Sequence, residues 1–170
     1  MANRANLARA LVGIGCRLGP EDPAFLILTS LGREGEFAPD FPEAGTRKLT
    51  SSEFAQMLET SGIGPAVIVL PACFSCLFLD EISAPDRLVI TAAWEDRASF
   101  GCQDRAEWTE FGESSFDRAL RADPDPSPAF PPAAEDVVRK EMADGLTPSL
   151  PQIREGAEIG RPPDRQPAEL

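Results

Sequence analysis

The feature that most constrains this chain is a pair of short, unbroken apolar runs, Ala66-Val67-Ile68-Val69-Leu70 and Leu88-Val89-Ile90-Thr91-Ala92-Ala93, each followed directly by turn-forming or polar residues. Brief Val- and Ile-rich runs without polar alternation mark strands covered on both faces, the situation of a parallel sheet between two helical layers. Parallel neighbours end on the same side. The loops that begin at Pro71 and at Trp94 therefore emerge on one rim, which is where open α/β sheets hold ligands. Pro71-Ala72-Cys73 puts a thiol on that rim.

The remainder of the chain supplies the layers. Leu7, Leu11, Ile14 and Leu18 recur at helical spacing, which predicts an amphipathic helix over residues 3–17, stopped by Gly19-Pro20. Phe25-Leu26-Ile27-Leu28 predicts a further strand over 24–30, also covered on both faces, followed by a polar loop through Gly45. Thr50-Ser51-Ser52-Glu53 has the form of a capping box, with Phe54, Met57 and Leu58 as a buried stripe and Gly62 as the stop, so a helix belongs here. Strand, helix and strand from 24 to 72 then make a right-handed crossover. Trp108, Phe111, Phe116 and Leu120 predict a helix over 107–121. Five prolines within residues 123–132 predict an extended linker, and a last helix over 134–144 ends at Gly145. The expected organisation is a domain over 1–121, a Pro-rich linker over 122–133, a helix and following segment packed on the domain over 134–159, and a mobile tail over 160–170.

Composition narrows the functions. At 170 residues the chain can bury a real core. A net charge of −12 and a pI near 4.4 exclude nucleic acid and anionic membrane as partners, because phosphate would repel such a surface. No apolar run has the length of a membrane span, and residues 1–10 lack the apolar centre of a secretion signal, so the expected compartment is the cytoplasm. Four cysteines do not make a disulfide scaffold in a chain this long. The chain contains no histidine. That rules out every site that needs imidazole, including Ser-His-Asp and Cys-His pairs and His-ligated zinc. No metal and no cofactor are expected.

The wording around the two central runs resembles that of the legumain-like (asparaginyl endopeptidase) cysteine peptidases, especially their small bacterial members. The residues that carry the likeness are Pro71-Ala72-Cys73-Phe74-Ser75, Leu88–Ala93, Asp96-Arg97-Ala98-Ser99-Phe100-Gly101-Cys102 and Phe111-Gly112. Thr29-Ser30-x-Gly32, Gly145–Ser149 and Pro151-Gln152-Ile153 extend it from about residue 3 to about residue 159. The resemblance implies a caspase-like three-layer α/β/α sandwich with a mostly parallel sheet. That fold opens on a strand in the middle of the sheet, whereas this chain opens on a helix. The first strand or two are thus expected to be lacking, which leaves the strand at 24–30 with an unpaired edge through which another chain could add.

The same resemblance assigns Cys73 as nucleophile and puts a base His at position 31, ahead of Gly32, where this chain has Leu31. It also assigns Ser99 and positions 71 and 113 to substrate binding. Pro71 stands where a Ser or Glu is usual, Glu113 where an Asp is usual, and Cys76 replaces a Gly beside the oxyanion turn. A thiol without a basic partner is only a few per cent ionised at neutral pH, and losing acid–base assistance costs on the order of 10²–10⁴ in rate. The expectation is a peptidase-family protein, catalytically impaired, that binds a peptide or protein partner. Two alternatives stand beside it. One is a weak endopeptidase acting through Cys73 with Glu34 or Glu36 as base. The other is a thiol redox protein using the Cys73-x-x-Cys76 pair, each cysteine otherwise being a small apolar filler.

Overall fold

The computed structural model describes residues 3–33, 36–38, 48–101 and 107–159. Four strands form the main sheet: β1 (Ala24–Ile27), β5 (Ala66–Leu70), β6 (Arg87–Thr91) and β7 (Gln152–Glu155), in the order β1-β5-β6-β7. The first three are parallel, and β7 returns antiparallel beside β6, with Ile90 opposite Ile153. Side chains alternate between two apolar layers. Leu26, Ile68, Leu70 and Val89 face a core completed by Leu11, Phe54, Leu58, Phe78 and Ile82. Val69, Leu88 and Ile90 face a second core with Phe111 and Val137.

Helices α1 (Arg4–Gly15) and α2 (Ser51–Ser61) cover the first face. Asn3 caps α1 by accepting from the Asn6 amide, and α2 has the capping box read from its sequence: Thr50 and Glu53 bond each other's backbone, and Gly62 ends the helix in the left-handed region. After β5 come a 3-10 turn (Ser75–Phe78) and the short α3 (Leu79–Ile82). The second face is covered by a helical run and a long helix. The run is α4 (Glu110–Gly112), a π-helical segment (Glu113–Ala119) and α5 (Leu120–Ala122); the long helix is α6 (Pro126–Ala143). The result is the three-layer sandwich with a mostly parallel sheet, its outer strand β1 paired on one side only among the described residues.

Four expectations need correction. The stretch after Ser30 is not simply a polar loop: β2 (Leu31–Arg33), β3 (Glu36–Ala38) and β4 (Leu49–Thr50) form a small antiparallel sheet. Its anchors are Phe37, stacked on Phe78 with ring centroids 4.2 Å apart, and buried Leu49. Two isolated apolar residues gave too little period to read. Strand β1 is shorter than expected and only half covered on its second face, since Phe25 and Ile27 are each 50% exposed. The helix expected at 107–121 contains a seven-residue π-helical stretch. The Pro-rich linker is in large part the start of α6. Pro126 and Pro128 occupy its first turn, where the amides lack helical partners anyway. Pro131 and Pro132 lie inside, where a proline costs about 3 kcal/mol. Burial of Ala129, Ala133 and Val137 holds the helix despite them. Residues 160–170, assigned to a mobile tail, lie outside the described residues, as do Glu34 and Cys102.

Candidate active site around Cys73

Cys73 sits just beyond β5, half-buried and free. The chain turns sharply there, because Phe74 adopts a left-handed backbone (φ 56°), which costs a bulky residue about 1–2 kcal/mol. Three ties offset that strain. The Phe74 amide donates to the Arg97 carbonyl (2.9 Å), and the Cys76 amide donates to the Ala93 carbonyl (3.0 Å). Fully buried Ser75 accepts at its Oγ from the amides of Ala92 (3.1 Å) and Ala93 (3.3 Å). The turn that carries the thiol is thereby fastened to the loop after β6. Backbone strain held by its surroundings is typical of functional positions.

The thiol itself meets Ser99. The Ser99 amide donates to Cys73 Sγ at 3.2 Å, and Sγ lies 3.4 Å from the Ser99 carbonyl oxygen as donor. On the other side stands Gly32. A methyl built on its Cα would come 1.8 Å from the Cys73 carbonyl oxygen and 2.8 Å from the carbonyl carbon. Only a glycine lets β2 pass so near Cys73, and it sets position 31 one residue from the contact. Cys73, Gly32 and Ser99 are brought together, with Pro71 two residues before the thiol and Trp94 exposed on the adjoining loop.

Glu113 is placed by other partners. Its carboxylate bonds Lys140 Nζ (2.8 Å) and Arg118 (2.5 Å) within a cluster that includes Asp136, and these cations hold it below the usual carboxylate range. Glu36 is engaged by Lys48. Burial, reinforced by the carboxylates of Glu95 and Asp80 and opposed by Arg154, pushes the Cys76 thiol up. Among the described residues no group of three His, Cys, Asp or Glu side chains is arranged to hold a metal. The sequence motif located Cys73, Gly32 and Ser99. It gave no sign that the Ser75 hydroxyl clamps the turn, beyond a single polar residue in an apolar stretch.

Chemically, the arrangement presents a sulfur that could attack a carbonyl, on a rigid turn at the rim of a parallel sheet. A nucleophile of this kind works through a base that takes its proton and returns it to the leaving group. No imidazole exists in the chain to do so.

A thiol presented at this point of such a sandwich defines the caspase fold class. The crystal structure of caspase-1 from Spodoptera frugiperda is similar to this chain, with a TM-score of 0.65 at 11% identity, covering 94% of this chain and 69% of that one. At that identity the likeness shows the fold alone. The peptidase C13 family, that of legumain, matches residues 12–153, and the chain belongs to that family. Among curated proteins, none matches. No helix of the described residues is long and apolar enough to cross a membrane.

Proposed function

We propose that this protein is a non-catalytic member of the cysteine peptidase family, which binds a peptide or protein partner at the loops following Ser30, Ala72 and Ala93. A cytoplasmic setting belongs to the same proposal. The observation that carries it is a divided site. The frame is intact, with Gly32 against Cys73, Ser75 clamping the turn and Ser99 on the sulfur, while the base is lacking because Leu31 stands beside Gly32 and the sequence has no histidine. Without general acid–base help the rate falls by about 10²–10⁴, and a leaving amine departs unprotonated.

The two alternatives find less support. The carboxylate of Glu36 is paired with Lys48. For the redox reading, the Cys73 sulfur is engaged by the Ser99 amide and carbonyl, with no contact to Cys76 among the described hydrogen bonds.

The test is exposure to a diverse peptide library, read by mass spectrometry for cleavage and by hydrogen exchange for binding. The reading expects slowed exchange in residues 72–76 and 94–99 with the library left intact. Cleavage that disappears in Cys73→Ala would overturn it in favour of the weak peptidase, and an unchanged exchange pattern would remove the binding role.

A further inference from the structure

We infer that Glu141, buried near the end of α6, is a positioning residue for the Cys73 rim: its carboxyl group fixes segment 145–150, and that segment fixes the loop whose Ser99 meets the thiol. The inference concerns the rim described above but rests on its geometry alone, whatever binds there. Glu141 is 1% exposed. It holds the segment twice. Its main-chain carbonyl accepts from the Leu146 amide (2.8 Å), and its Oε2 accepts from the amide of fully buried Ser149 (2.7 Å).

From Ser149 the ties run on, residue by residue, to the turn of the thiol. Pairing of Gln152 with Thr91 sets the segment beside the end of β6. The Ser149 carbonyl accepts from the Trp94 amide (2.8 Å), the Trp94 carbonyl from the Arg97 amide (3.1 Å), and the Arg97 carbonyl from the Phe74 amide (2.9 Å). Four hydrogen bonds thus lead from the Glu141 carboxyl group to the residue after Cys73. The third closes the turn from Trp94 to Arg97, which delivers the Ser99 amide to Cys73 Sγ.

Stability alone does not explain a carboxyl group at this place. Its Oε1 is buried without a partner, as is Ser149 Oγ, and no Lys or Arg pairs with Glu141 among the described residues. Interior polar atoms left in that state are costly, and an apolar side chain would avoid the cost. An apolar side chain could not accept from Ser149. That bond matters because residues 146–151 form neither helix nor strand, and Leu150 stands in the left-handed region (φ 57°). A strained stretch of this kind keeps its course only where its surroundings fix it.

The test compares Glu141→Leu, which removes the acceptor, with Glu141→Gln, which retains one. Val137→Ala is the control, since it weakens the packing of the same helix and touches none of the four bonds. Each variant is read for hydrogen exchange at the Trp94 and Ser99 amides and for the rate of Cys73 alkylation by iodoacetamide, with urea unfolding giving the share due to global opening. Glu141→Leu should speed all three beyond that share by about tenfold or more. Val137→Ala should speed none of them beyond it, and Glu141→Gln should stay near the parent. Glu141→Asp, whose carboxyl group is drawn back by one methylene, takes the place of Glu141→Leu if the latter does not fold. Equal effects of Glu141→Leu and Val137→Ala would reduce Glu141 to a packing residue and overturn the inference. So would rates in Glu141→Gln as fast as in Glu141→Leu, since an acceptor would then not be what holds the segment. None of these readings involves a partner, so the inference fails or stands apart from the binding role.

Discussion

Gly32 lies so close to Cys73 that one methyl group on its Cα would sit 1.8 Å from the Cys73 carbonyl oxygen. Backbone faces backbone there, so no side chain can swing aside. Gly32→Ala should therefore cost about 1–3 kcal/mol, through displacement of the turn that carries the thiol. Gly13→Ala is the matched control, because a methyl at Gly13 meets nothing within 4 Å and the residue lies inside α1. It should stabilise by about 0.5–1 kcal/mol. Urea unfolding of the two variants checks both signs.

Ser75 is buried and its hydroxyl accepts from two amides. Ser75→Ala keeps the shape and leaves the Ala93 amide without that acceptor, while the Ala92 amide retains the Leu70 carbonyl at 3.1 Å. The expected loss is about 1–3 kcal/mol, with faster hydrogen exchange at Ala93 as the local sign. Unchanged exchange there would mean that the hydroxyl does not fasten the turn.

Glu113 is held below its usual range by hydrogen bonds from Lys140 and then Arg118. A depressed acid stabilises the fold above its unfolded pKa, about 4.3, and that contribution is lost as pH falls through the lower folded value. Glu113→Gln should then be less stable than the parent near neutrality, and the difference should close below about pH 4. Urea midpoints for both proteins across that range decide it. A constant difference would mean that the ion cluster is not the cause.

The raised Cys76 thiol predicts an order of reactivity. Cys16 is exposed, so at about pH 8 iodoacetamide should label Cys16 well before Cys76. Peptide mapping over time reads the order directly. Early labelling of Cys76 would revive a redox role for the pair.

How much of this could be read from the sequence depended on period and on charge. The paired runs at 66–70 and 88–93, the capping box at Thr50 and the stripe of α1 each repeat a signal over several residues, and each forms the element expected. The site's position was legible for the same reason, since a strand end fixes where Cys73 must emerge. The small sheet was not legible, because Phe37 and Leu49 are isolated anchors whose partners, such as Phe78, come from distant parts of the chain. The helix through Pro131 and Pro132 was hidden because local propensity opposes it and only tertiary burial sustains it. The exposed face of β1 depends on where the covering helices end, which no stretch of 24–30 encodes.

The central proposal is that a base at position 31, next to the Gly32 that meets the Cys73 backbone, is what the site lacks. The most direct test is the pH profile of Cys73 alkylation in Leu31→His compared with the parent chain. An imidazole beside the sulfur should raise the rate near neutrality by about tenfold or more and add an inflection near pH 6.5, where histidine titrates. Superimposable profiles in a folded Leu31→His protein would contradict the account.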